Sequence, residues 1–131
     1  MKILIVEDDF TSRILMHKFL APYGDVHIAV DGKEALEVVR SSYEEKEPYM
    51  LICLDLMMPE LDGHAVLEQI RAIEEEFGIS NADRIRIIMT TALSDADNVN
   101  SAFQNRCDAY MIKPLERAKL LHQLRKLNLI T

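Results

Sequence analysis

Acidic side chains stand directly behind two apolar runs: Glu7-Asp8-Asp9 follows Ile3–Val6, and Asp55 follows Met50–Leu54. Two further polar groups end apolar stretches in the same way, Thr90-Thr91-Ala92 and Lys113-Pro114. If the fold brings these four places together, several carboxylates share one cleft and repel one another unless a cation is present. An all-oxygen donor set without nearby His or Cys favours a hard ion, and Mg²⁺ suits a site of few carboxylates, waters and a phosphoryl oxygen. A lysine supplies fixed charge for a phosphoryl group and a threonine hydroxyl can donate to it. Nucleophile, metal ligands and charge clamp are the parts that phosphoryl transfer to a carboxylate needs. Neither G-x-x-x-x-G-K-[ST] nor G-x-G-x-x-G occurs, so nucleotide binding has no support.

The elements must place those residues. Strand-length apolar runs at Lys2–Val6, Val26–Val30, Met50–Leu54, Ile85–Thr91 and Ala109–Ile112 alternate with amphipathic segments at 11–21, 32–45, 63–76, 95–105 and 115–127. Ile3-Leu4-Ile5-Val6 and Met50-Leu51-Ile52-Cys53-Leu54 are apolar at consecutive positions, the pattern of central parallel strands covered on both faces. Val26–Val30 is less uniform and suits an edge. Expected core stripes are Ile14, Leu15, Phe19 and Leu20 in the first helix, and Val66, Leu67, Ile70 and Ile73 in the third. The last helix would bury Leu120, Leu121, Leu124 and Leu127. Asp31 with Glu34, and Ser94 with Asp95 and Asp97, read as helix starts.

Five β-α units without linkers predict a doubly wound, flavodoxin-like α/β domain whose parallel sheet runs 2-1-3-4-5. Ligands in such sheets sit beyond the carboxyl ends of the strands at the switch point, which is where Glu7, Asp8 and Asp55 would meet. The alternation uses nearly all of 1–131, leaving only Asn128–Thr131, so a single domain without an output domain is expected.

With these residues in place, the chain resembles a response-regulator receiver domain of the single-domain, chemotaxis type. The resemblance rests on Ile3-Leu4-Ile5-Val6-Glu7-Asp8-Asp9, Leu54-Asp55-Leu56-Met57-Met58-Pro59-Glu60-Leu61-Asp62-Gly63, Thr91-Ala92 and Tyr110-Met111-Ile112-Lys113-Pro114. It implies that Asp55 accepts a phosphoryl group from a phosphohistidine of a sensor histidine kinase or histidine phosphotransfer protein. It further implies that Asp8 and Asp55 bind Mg²⁺ directly, Glu7 acts through water, and the Met57 backbone carbonyl completes the ligands. Thr91 and Lys113 would hold phosphoryl oxygens, the Lys113–Pro114 bond would be cis, and Tyr110 would move with Thr91 on activation. Output would pass to a separate target through the face of the 95–105 helix, the fifth strand and the last helix. Met57 and Leu93 would border the path of the hydrolytic water and slow phosphoryl loss.

Plainer readings hold elsewhere. Asp9 is expected to cap a helix, and Thr90 competes with Thr91 for the phosphoryl contact, with Thr91 preferred because small Ala92 follows it. Met57 and Met58 read as packing and cleft-wall residues. His17, His27, His64 and His122 show no ligand spacing, and Cys53 and Cys107 read as reduced structural thiols. Glu44-Glu45-Lys46-Glu47 and Glu74-Glu75-Glu76 read as solvated helix ends.

The net charge of −7 opposes sequence-independent nucleic-acid binding, so no direct DNA binding is expected. No run approaches the ~20 apolar residues of a membrane span, and no signal peptide is legible, which points to a cytoplasmic protein. Two other functions compete. A Mg²⁺-dependent phosphatase with an aspartyl-phosphate intermediate usually has a second Asp two residues after the nucleophile, where this chain has Met57; a degenerate scaffold would not need the full polar set. The chain is therefore expected not to be an enzyme beyond its own phosphorylation and hydrolysis. The sequence leaves open a homodimer through the output face or the Leu129-Ile130 tail.

Overall fold

The computed structural model describes residues 1–58, 60–92 and 107–131. Five strands form one parallel sheet: β1 (Lys2–Val6), β2 (Asp25–Ala29), β3 (Leu51–Asp55), β4 (Arg86–Thr91) and β5 (Ala109–Ile112). Their order is β2-β1-β3-β4-β5, as the alternation of elements predicts. The described helices are α1 (Phe10–Leu20), α2 (Gly32–Glu44), α3 (Gly63–Glu76) and a last helix, Arg117–Lys126. The segment 95–105, with Ser94, Asp95 and Asp97, and Leu93 lie outside the described residues.

Side chains alternate across a strand, and here both faces are dry. Leu4, Val6, Ile52, Leu54, Ile87 and Met89 pack in one core with Val39, Val66, Leu67 and Ile70. Ile3, Ile5, Leu51, Cys53 and Ile88 pack in a second with Met16, Leu20, Leu120, Leu121 and Leu124. Each fully buried Ile or Leu contributes about 1.5–3 kcal/mol relative to exposure. The uniform apolar runs of β1 and β3 thus specify the middle of the sheet, and β2 lies at an edge as its mixed pattern implies. Two helix starts follow the sequence, with Asp9 and Asp31 accepting from the backbone N–H groups of Ser12 and Glu34, and Asp62, not singled out there, accepts from that of Ala65.

Two expectations are corrected. In α1 the buried residues are Met16 and Leu20, while Ile14 is 53% exposed. Leu20 faces the sheet as expected, with Phe19 packed partly against it, and Met16, left out of the predicted stripe, takes the inward place while Ile14 stays exposed. Glu74 is not a solvated helix end. It is 4% exposed and accepts from Tyr43, Arg71 and the Ile85 N–H. Among the described residues no helix is long and apolar enough to cross a membrane.

Candidate functional site

Register builds the site. Val6 pairs with Leu54 across β1 and β3, so Glu7 and Asp55 emerge side by side at the carboxyl end of the sheet. Oxygens of Glu7, Asp8 and Asp55 all lie within 4.8 Å of one another. Glu7 and Asp55 are buried, whereas Asp8 is exposed at the mouth. Lys113, just past β5, places Nζ 2.5 Å from Glu7 Oε1 and 3.4 Å from Asp55 Oδ1. Its backbone N–H donates to the Thr91 carbonyl at 2.7 Å, which fixes the chain before the cis Lys113–Pro114 bond.

The acid loop after β1 is braced at several points. The Asp9 N–H donates to Glu7 Oε2 at 3.2 Å, and Asp9 caps α1 as expected. Arg13, which the sequence reading passed over, donates from one guanidinium nitrogen to the carbonyls of Asp8 (3.0 Å) and Glu7 (3.3 Å). On the opposite side, the Met57 N–H donates to Asp55 Oδ1 at 3.3 Å and the Leu56 N–H to the Thr90 carbonyl at 2.8 Å.

α3 starts hard against this loop, and a glycine makes that possible. The Gly63 N–H donates to the Leu56 carbonyl at 2.9 Å. A Cβ at Gly63 would lie 2.7 Å from the Asp55 carbonyl oxygen and 2.8 Å from the Leu56 Cα, both backbone. Gly63→Ala is therefore expected to push α3 away from the Asp55 loop, costing about 1–3 kcal/mol. Chemical denaturation should show the loss; a variant as stable as wild type would mean the helix start yields without strain.

Electrostatics follow from the crowding. Burial raises the Asp55 carboxyl to about 7, helped by a hydrogen bond with Glu7 and the Glu7 charge; Lys113 and the Met57 N–H oppose the rise. Burial alone would lower the Lys113 ammonium. Its hydrogen bond to Glu7 and the charges of Asp55 and Glu7 outweigh that and leave it above its ordinary value. Three carboxylates with one lysine make an anionic, oxygen-only donor set that fits a small hard dication. The cluster is positioned to coordinate Mg²⁺.

The structure thus brings together Glu7, Asp8, Asp55 and Lys113. Thr91 is fully buried, with its hydroxyl donating to the Ala92 carbonyl at 3.3 Å. Thr90 is buried in register with Asp55, and its hydroxyl finds no hydrogen-bond partner among the described residues. Tyr110 lies on edge strand β5 and is 40% exposed. Met57 is exposed, and Met58 packs into the core. His27 bridges Tyr49 and Asp25 near the opposite, amino-terminal end of the strands. Both cysteines are reduced thiols outside any disulfide, and burial pushes Cys53 up to about 12.

Comparison with known proteins gives one result throughout. Residues 3–125 match the family model of the response regulator receiver domain. The chain is 33% identical over 125 residues to a probable transcriptional regulator, ycf27, of Porphyridium aerugineum, covering 95% of this chain and 46% of that protein. It is 32% identical over 131 residues to probable histidine kinase 2 of Oryza sativa subsp. indica, covering 92% and 12%. The chain therefore spans less than half the length of these curated relatives. Among solved structures it superposes on the receiver domain of the histidine kinase CKI1 from Arabidopsis thaliana, complexed with Mg²⁺ and BeF₃⁻. That match has a TM-score of 0.77 at 28% identity and covers 97% of this chain and 89% of that one.

Proposed function

We propose that this chain, which belongs to the response-regulator receiver family and carries a metal-binding acid cluster, is phosphorylated on Asp55 and works as a switch for a separate partner. One observation carries the reading: Asp55 is 4% exposed yet shares its cluster with Glu7, Asp8 and Lys113. A buried carboxylate held among others at a sheet's switch point has no packing rationale, and a nucleophile needing a cation does.

The donor on this reading is a phosphohistidine of a histidine kinase or histidine phosphotransfer protein. An Asp55 oxygen attacks phosphorus in line as the histidine nitrogen leaves, so one P–N bond is exchanged for one P–O bond. Bound Mg²⁺, held by Asp8, Asp55 and the Met57 carbonyl with Glu7 acting through water, would neutralise the cluster and the transferring oxygens. Lys113 stays charged because Glu7 and Asp55 hold its proton, so it can shift from them to a phosphoryl oxygen. Thr91 would exchange its Ala92 contact for another, and Tyr110, 40% exposed on its edge strand, would follow. Met57, with Leu93, would screen the phosphoryl group from water. A partner that prefers this arrangement shifts the population towards it. We assign the output to β5, the last helix and the segment between β4 and β5, and place the protein in the cytoplasm.

The test is intact mass after incubation with Mg²⁺ and a small phosphodonor. Wild type should gain one phosphoryl group, chelation should prevent the gain, and Asp55→Asn should show none. A gain that persists in Asp55→Asn would remove Asp55 from its role.

A further inference from the structure

Arg13 lies in the first turn of α1, where its backbone N–H donates to the Asp9 carbonyl at 3.0 Å. A cation there faces the positive end of the helix dipole, an unfavourable arrangement unless something offsets it. What offsets it is specific. One guanidinium nitrogen reaches back to two consecutive carbonyls, Asp8 at 3.0 Å and Glu7 at 3.3 Å. Those carbonyls belong to the two residues whose carboxylates form the acid pair. Phe10 supports the guanidinium, whose carbon stands 5.7 Å from the ring centroid.

The rest of the loop shows why this matters. Glu7 is held at both carboxylate oxygens, by Lys113 and by the Asp9 N–H. Asp8 is exposed, and the hydrogen bond on its backbone carbonyl restrains the peptide plane from which its side chain springs. A metal ligand on an unrestrained loop must be ordered when the ion binds, and that ordering weakens affinity. Residues that orient ligands from behind are typically worth about 10–100-fold in metal affinity.

We infer that Arg13 is a positioning residue of this site: by holding the Glu7 and Asp8 carbonyls it aims the acid pair and sets the affinity for Mg²⁺. The inference rests on the acid cluster being the metal and phosphoryl site. Charge and positioning act in opposite directions here, which makes the test decisive. A nearby cation repels Mg²⁺, so electrostatics alone would make removal of Arg13 tighten binding. Loss of positioning would weaken it.

The experiment is calorimetric titration of Mg²⁺ into wild type, Arg13→Met, Arg13→Lys and Asp55→Asn, with circular dichroism confirming folded protein at the assay temperature. Arg13→Met should bind Mg²⁺ about tenfold more weakly. Its phosphorylation by a small phosphodonor should need correspondingly more Mg²⁺, the loss falling on the concentration required more than on the rate reached at saturation. Arg13→Lys, which can still donate to a carbonyl, should recover most of the affinity. Unchanged or tighter binding by folded Arg13→Met would overturn the proposal, as would failure of Arg13→Lys to recover affinity. If wild type and Asp55→Asn bind Mg²⁺ equally, the underlying reading of the cluster fails, and that result is distinct from either.

Discussion

Glu74→Ala is expected to destabilise the fold by ~3–5 kcal/mol, the cost of breaking a buried ion pair by removing one partner. Glu74 Oε1 accepts from Arg71 at 2.6 Å, and Oε2 accepts from the Tyr43 hydroxyl at 3.0 Å and the Ile85 N–H at 2.7 Å. The Glu74 and Arg71 side chains are each 5% exposed. Burial, then the Glu74 charge, pushes the Tyr43 phenol well above its ordinary value. The network runs on through Asp108, which accepts from Arg71, Arg84 and the Ile87 N–H. One carboxylate thus ties α2, α3 and the start of β4 together at the end of the sheet remote from Asp55. Alanine leaves a buried phenol and a buried N–H without their acceptor and removes one anion from Arg71. For a domain with ~5–15 kcal/mol in total, that is a large share. Thermal melts should fall by roughly 10–20 °C. Glu74→Gln keeps the acceptor and should lose less. The double variant Arg71→Met, Glu74→Leu should recover part of the loss, because the pair's desolvation cost disappears with it. A Glu74→Ala melt within a degree or two of wild type would show that the network is ornamental to stability.

Glu74 also marks where the sequence stopped being legible. Three glutamates in a row at a helix end read as solvent-facing by charge alone, and Glu75 and Glu76 are exposed. Nothing local distinguishes Glu74, because its partners lie three residues away on its own helix and far along the chain at Tyr43 and Ile85. The sheet was legible for the opposite reason. Its signal is local and repeated: a strand buried on both faces shows itself as a run such as Leu51–Leu54, and the β-α alternation leaves few topologies. Order then brought the acids together, since whatever follows β1 and β3 must meet at the switch point. In α1 the pattern was crowded with apolar residues, so the choice between Ile14 and Met16 needed the sheet itself. Arg13 gave only a weak signal, a cation in a helix's first turn, and its purpose depends on backbone carbonyls that no sequence displays.

The second large effect is a pH-dependent stability that Mg²⁺ should reverse. Asp55 has a folded-state pKa of about 7, against an ordinary carboxyl value of 3.8 in the unfolded chain. Between those values the folded protein holds a proton that the unfolded chain releases, so stability falls as pH rises through the window and stays low above it. At 1.36 kcal/mol per unit, the metal-free protein should lose ~2–4 kcal/mol between about pH 4 and pH 8 from this group. Lys113 does not blur the result, because its raised value acts only at alkaline pH. Asp55→Asn removes the titrating group, so its melting profile across the window should be flatter and, at pH 8 without metal, its stability higher than wild type. Mg²⁺ binds the deprotonated cluster, so it should stabilise wild type strongly at pH 8 and weakly at pH 5, and Asp55→Asn little at either. Melts at three pH values, with and without Mg²⁺, test this directly. Wild type as stable at pH 8 as at pH 5 relative to Asp55→Asn would show that burial beside Glu7 does not raise the Asp55 carboxyl. The expected result instead says what the site stores: two buried carboxylates, with one lysine between them, hold the fold in a state that a cation relaxes. That stored cost, burial first and the neighbouring Glu7 second, makes occupancy of the cluster a variable that sets how firmly the loops beside Asp55 are held.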